Sequence, residues 1–358
     1  LTSQSTQATA IGYAAGNSLQ GSNATAVGLL AGQTSQGGSA TALGVNAGNL
    51  NQGANAVAVG DKAGQTTQSA TATAVGYQAG KTTQGIGSTA VGYNAALTNQ
   101  ADNSLAAGRS AGQSDQGASS VSLGYVAGQT SQGASSVAVG VSAGSNTQGA
   151  NATAVGDRAG RDNQGASATA IGNSAGTTSQ GNYSVGVGYA AGQTTQGTSS
   201  VAIGNSAGRI TQASSAVAIG LNAGNAGQLE SAVAIGNASG NSAQGSAAVA
   251  VGVSAGNNTQ GTSAVSVGDR AGQTTQGSYS VAMGIAAGQV TQGSSSTALG
   301  PSTAQTNQGQ NSTAVGSNAG QTNQSDYATA VGASAGTTEQ GASSVAVGRN
   351  AGNDTQGT

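Results

Sequence analysis

The 358-residue chain contains no cysteine, histidine, tryptophan or phenylalanine, and only one proline and one methionine. Without histidine or cysteine there is no common neutral-pH base, no thiol nucleophile and no soft metal ligand, so the sequence argues against an enzyme. The missing cysteines leave the redox compartment open, because a long ladder of strands needs no staples. The aromatics are eight tyrosines, which excludes a conventional core of large aliphatic and aromatic side chains. Charge is equally sparse. Eight basic and ten acidic residues give a net charge of −2, the acids are scattered, and no nucleic-acid footprint results. No apolar run approaches the ~18 residues of a membrane span, and no signal peptide is visible. No P-loop and no calcium-binding G-G-x-G-x-D repeat occurs, so no cofactor is expected. A chain starting at Leu1 reads as processed or as a fragment, with targeting and tip elements expected outside it.

What the chain does have is one repeat. Glycine supplies 63 residues, and the Gly that closes "AVG" falls at Gly12, Gly28, Gly44 and every sixteen residues to Gly348, in all 22 copies. A Gln recurs from Gln4 and Gln20 to Gln356, in all 23 available positions, without an insertion or deletion. The consensus is V/T-A-V/I/L-G-x-x-A-G-x-T/S/N-T/S/N-Q-G-x-x-S/A. Sparse charge and small polar residues could mean disorder, but strict periodicity at low net charge points to a folded chain.

A period of this size means a solenoid, in which each turn buries its apolar face only by stacking on its neighbours. Three glycines per repeat would cost a helix about 1 kcal/mol each, whereas alternating β-branched residues, as in Val137-Ala138-Val139, fit a strand. Sixteen residues hold two short strands, "SVAVG" and "QTTQ", with Gly at corners that need positive φ or close backbone approach. Residues 1–358 therefore read as a single all-β parallel β-solenoid (β-roll) of 22 sixteen-residue coils. One inter-strand spacing of about 4.8 Å per coil would give a shaft of roughly 105 Å. The first strand carries Val or Ile on one side and Ala on the other. A coil covers one of those sides, so the other is expected to meet further copies of the chain.

Among polar residues, the Gln row (Gln20, Gln36, Gln132, Gln196, Gln276) reads as a structural ladder of stacked amides, with Gly12, Gly28, Gly140 and Gly284 as its backbone counterpart. Paired threonines, Thr66-Thr67, Thr194-Thr195 and Thr274-Thr275, could form an ice-like array or be ordinary strand formers. Leu50, Asp115, Asp162, Ile210, Ala226 and Val290 interrupt the row. The residue after the "AVG" glycine varies most (Tyr13, Leu29, Val45, Asp61, Arg109, Asp157, Tyr189, Asp269, Arg349), which marks an exposed corner. Tyr77, Tyr93 and Tyr125 at that corner are the candidate surface contacts, stacking weakly on sugar rings. Asp61-Lys62, Asp157-Arg158 and Asp269-Arg270 repeat an acid-base pair there; exposed pairs contribute ~0–1 kcal/mol, so solubility is their simplest role. The consensus breaks at Ala96-Leu97 with Leu105-Ala106-Ala107, at Leu229-Glu230, at Ser239 and at Pro301-Ser302-Thr303-Ala304, where local turn adjustment without loss of a coil is expected.

The segments "SVAVGVSAG" (136–144), "TAVGYQAGKTTQG" (73–85) and "TAVGYNAALTNQ" (89–100) carry a resemblance. They look like the "SVAIG" repeats in the heads of YadA-like trimeric autotransporter adhesins. They are closer in wording to the "TAVGYNA" and "TAVGYQAG" repeats in fibres of tailed phages and large DNA viruses. The resemblance implies a left-handed roll in a parallel homotrimer. In many such fibres an endosialidase-type chaperone follows the shaft. The sixteen-residue coil and the Gln in every turn depart from the adhesin pattern. The expected role is a shaft or adhesin segment of an extracellular or virion fibre, holding a receptor-binding tip from its base, with a weak cell-surface glycan contact at most. A self-assembling extracellular filament and an ice-binding solenoid are the alternatives.

Overall fold

The computed structural model describes residues 4–355 and 357; Leu1 and Gln356 lie outside the described residues. The architecture is all-β, with strands of two or three residues joined by turns and no helix among the described residues. The chain divides into two compact units, residues 1–182 and 183–358. Each unit is a parallel β-solenoid. In the first, eleven first strands run from Thr9–Ile11 to Thr169–Ile171; in the second, eleven run from Val185–Val187 to Val345–Val347. Pairing is parallel with a shift of one repeat, as in Val137↔Thr153, Ala138↔Ala154 and Val139↔Val155, or Val217↔Val233. The second strands stack in the same register, Gln132 on Gln148 and Gln228 on Gln244. Ten steps of about 4.8 Å separate the first and last of these first strands, so each unit's sheet is roughly 48 Å tall.

The core between the two sheets is alanine and glutamine, with serine or threonine in a few coils (Ser122, Ser239, Ser266, Thr303). Ala138, Ala143 and Ala152 are fully buried in one coil, and their counterparts repeat through both units. Small side chains are required because short strands joined by tight turns bring the two sheets close. The outward residues of the first strand, such as Val137 and Val139, stay half-buried.

The turns depend on left-handed backbone. Gly140 has φ 129°, and a Cβ there would lie 2.5 Å from Gly156 O. Gly144 has φ 50°, and its Cβ would lie 2.9 Å from the Gln148 amide. Two further turn positions are left-handed in residues with side chains, Ser142 (φ 53°) and Asn151 (φ 58°) in this coil, and even Val126 (φ 49°). Such residues disfavour αL by about 1–2 kcal/mol. Axial hydrogen bonds hold them there: Ser142 N donates to Tyr125 O at 2.9 Å, and Asn151 N to Ala134 O at 2.9 Å.

The consensus breaks cost no coil. Leu105–Ala107 pairs normally with Val121–Leu123. Pro301 sits exposed at a corner, where its lack of an N–H is tolerable. Beside it Thr303 is buried, and its hydroxyl donates to Gly316 O at 2.5 Å. Ala304 keeps the left-handed φ (44°) of the glycine it replaces. Ser239 is buried and donates to Gly236 O at 3.1 Å. Leu229 takes a glycine's place and still donates its N–H to Gln244 O at 3.0 Å.

Candidate functional site

Three features stand out from the small-residue background: the interior amides, the outer face of the first strand, and the corner after the "AVG" glycine.

The last residue of the second strand points inward, which places the repeated Gln between the sheets. The largest fully buried side chains of the protein are all glutamines. They span the interior to a carbonyl of the opposite strand, and in most coils also join the glutamine of the next coil. Gln148 Nε2 donates to Val137 O at 2.8 Å and to Gln164 Oε1 at 3.0 Å. Gln132 reaches Gln148 at 3.2 Å, Gln196 reaches Gln212 at 3.2 Å, and Gln276 reaches Gln292 at 3.0 Å. Gln20 donates to Thr9 O at 2.9 Å, and Gln36 bonds Gln52 at 3.1 Å. Gly12, Gly28, Gly140 and Gly284 are the corner glycines with φ 127–132°. Where Ser replaces the core Ala, the ladder absorbs it: Gln116 Nε2 donates to Ser122 Oγ at 3.4 Å, and Ser122 donates to Gln132 Oε1 at 2.6 Å. Ser266 likewise donates to Gln276 at 2.6 Å. The ladder is interrupted above Gln84, where Gln100 Oε1 is buried without a hydrogen-bond partner, and likewise at Gln20 Oε1 and Gln36 Oε1 near the start of the chain. Ala96 replaces the glycine under the Gln100 amide, yet Ala304 at the equivalent place leaves Gln292 bonded to Gln308 at 3.0 Å. The methyl group alone does not explain the gap.

The outward third residue of the first strand forms an apolar row. Leu43, Leu123, Ile203 and Met283 remain 46, 46, 39 and 40 % exposed.

At the corner, consecutive coils carry Tyr77, Tyr93, Arg109 and Tyr125. The Tyr77 and Tyr93 rings stack with centroids 5.0 Å apart and an interplanar angle of 15°. The Arg109 guanidinium lies 5.7 Å from the Tyr93 centroid and 5.6 Å from that of Tyr125. Both faces of Tyr93 are therefore taken by protein groups, and no sugar ring fits between Tyr77 and Tyr93. Elsewhere along the corners Asp157–Arg158 and Asp269–Arg270 pair at 3.4 and 3.5 Å, with side chains 41–49 % exposed. Asp61 differs, with Oδ1 buried and unpartnered.

The threonine row is not one flat surface. Its second position is left-handed in coils such as those of Asn51, Asp115, Ser131, Thr147, Thr211 and Gly227, while Thr67, Thr83, Thr195 and Thr275 in paired threonines are not. At Ala226, Gly227 and Ala243 the face loses its longer side chains and leaves a shallow open depression bordered by Leu229 and Ser242. Asp162, which interrupts the row, forms the tightest ion pair, 2.7 Å to Arg161, and accepts a hydrogen bond from Asn146 at 2.6 Å. Burial alone would raise its carboxyl pKa, but the hydrogen bonds from Arg161 and Asn146 and the Arg161 charge outweigh that and hold it below the ordinary carboxylate value.

Two polar devices escaped sequence reasoning. The residue after the second turn glycine forms another amide row, part-buried: Gln129 donates to Gln113 at 2.9 Å and Gln289 to Gln273 at 2.9 Å. Where it is Asn it caps a turn carbonyl one coil back, as Asn225 does to Ser206 O at 3.0 Å, and Asn49 does so while also bonding Gln33. In the opposite turn, Asp102, Asn182 and Asp326 accept the N–H of Ile86, Ala166 and Gln310 at 2.7–2.9 Å. The signal was present as Gln, Asn and Asp at fixed register, hidden by positions that vary freely.

Among the described residues no group of three or more His, Cys, Asp or Glu side chains could hold a metal ion, and no helix is long and apolar enough to cross a membrane. No family model and no curated protein matches the chain.

Proposed function

We propose that the chain is the shaft, or an adhesin segment, of an extracellular or virion fibre, in which left-handed rolls associate as a parallel homotrimer and space a receptor-binding tip from its base. One observation supports this reading most: the first strand of coil after coil presents Val, Ile, Leu or Met outward, incompletely covered by its own chain. An apolar row repeated through a whole unit exceeds what monomeric soluble proteins usually expose. Parallel copies set about a common axis cover it with identical side chains, since rotational symmetry brings equal heights together. The interior supplies the stiffness such a part needs, because axial hydrogen bonds run through both sheets, the turns and the Gln ladder. The alternation of left-handed and extended backbone in the threonine row disfavours the flat array that ice binding calls for.

Sedimentation equilibrium of the purified chain tests the reading, with a mass of three chains expected. Val139→Cys, on the outward row, should cross-link between chains on oxidation, and Ser131→Cys, exposed on the other sheet, should not. A folded chain that sediments as a monomer at micromolar concentration would overturn it.

A further inference from the structure

Three departures from the repeat fall together in the coils between Tyr77 and Tyr125. Ala96 replaces a turn glycine beside one of the breaks in the Gln ladder, the others being at Gln20 and Gln36. Ala107 is the one third residue of a described first strand smaller than valine, and it lies two residues before Arg109. Arg109 itself is clamped between the faces of Tyr93 and Tyr125. The clamp fixes a planar guanidinium at an exposed corner, with the small Ala107 two residues before it. Among the described residues Arg109 has no ion pair and no side-chain hydrogen bond. The same corner carries acids only three coils away on either side, Asp61 and Asp157, about 14 Å at the coil spacing and beyond the ~8 Å screening length. The acids nearest in sequence are engaged elsewhere: Asp102 accepts from Ile86 N at 2.8 Å, and Asp115 from Asn99 Nδ2 at 2.8 Å.

We propose that Arg109, held by Tyr93 and Tyr125, is a binding site for the carboxylate of an acidic saccharide. A guanidinium whose faces are occupied by rings keeps its edge free, and that edge matches a carboxylate with two parallel hydrogen bonds. Stacking fixes the side chain beforehand, so less rotamer freedom is lost on binding. Because both faces of Tyr93 and the Arg109-facing side of Tyr125 are taken, what remains around the charge is phenol edges and hydroxyls. Those suit the hydroxyl-bearing ring of a uronic acid. This assignment does not depend on the chain being a fibre shaft.

The test is biolayer interferometry of the 358-residue chain at low ionic strength. The probes are an immobilised oligosaccharide alternating glucuronate with N-acetylglucosamine, a neutral N-acetylglucosamine oligomer of the same length, and polyglutamate. Binding to the first probe alone is expected, weakening with salt. Arg109→Gln should weaken it tenfold or more. Arg109→Lys, which keeps the charge but loses the fork and the stacking, should weaken it several-fold. Far-UV circular dichroism checks that both variants remain folded, as expected for an exposed side chain. No binding at millimolar saccharide, equal binding of the neutral oligomer, or unchanged binding by Arg109→Gln would overturn the site. Equal binding of polyglutamate would overturn the saccharide assignment.

Discussion

Replacing one interior glutamine tests whether the amide ladder holds the coils together. Gln228 is fully buried; its Nε2 faces Val217 O at 2.7 Å, Ala232 O at 3.1 Å and Gln244 Oε1 at 3.1 Å, and its Oε1 accepts from Gln212 at 3.0 Å. In Gln228→Ala, the Val217 carbonyl and Gln244 Oε1 lose their amide donor inside the core, while Gln212 keeps its bond to Val201 O at 2.8 Å. Val217 O keeps its place in the parallel ladder of Val217–Ile219 on Val233–Ile235, so the one orphaned acceptor, Gln244 Oε1, gives a loss of about 1–3 kcal/mol, to which the vacated volume adds. Stability in a solenoid is the sum of coil and neighbour terms, so the loss should be local. Hydrogen exchange should show faster amides in coils 217–249 and little change ten coils away. Gln228→Glu sharpens the test. A carboxyl buried there is expected to titrate above its unfolded value of about 4.3, so between the two values the folded state binds the extra proton. Stability then falls as pH rises through that window, by up to about 1.4 kcal/mol per unit. Denaturant unfolding at pH 4 and pH 7 measures it. A Gln228→Ala protein within 0.5 kcal/mol of wild type, or a Gln228→Glu protein indifferent to pH, would refute the reasoning.

Other consequences are equally direct. Gly140→Ala places a methyl against Gly156 O at positive φ and should lower stability by about 3 kcal/mol or more, whereas Gly144→Ala, with Ala96 and Ala304 as precedents, should cost about 1 kcal/mol; thermal melts compare them. Ser122→Ala restores the repeat consensus and should change stability by less than about 1 kcal/mol, since Gln116 and Gln132 can then bond directly as their counterparts do. Asp162 contributes stability present above its unfolded pKa of 3.8 and lost as pH falls through the lower folded value. Asp162→Asn should therefore flatten the acid limb of the unfolding curve slightly, the pair being partly exposed and screened; an unchanged limb counts against the attribution.

The sequence by itself determined the coil. A sixteen-residue period without slippage, β-branched alternation and glycines at fixed places admit a parallel β-solenoid and little else, because each of those demands is local and repeats in every turn. It also located the corner, since only a position free of packing demands can hold Tyr13, Asp61 and Pro301 alike. What it left open depended on neighbours in space. Whether Gln148 pointed inward or to solvent was decided by how close the two sheets come, which leaves room for alanine and one extended amide and nothing bulkier. That Tyr77, Tyr93, Arg109 and Tyr125 form one column follows from stacking at the strand spacing, and it converts separate rings into a clamp around a guanidinium. The left-handed Ser142 and Val126 are likewise tertiary outcomes: their own φ preference opposes them, and only hydrogen bonds from the adjacent coil keep them there.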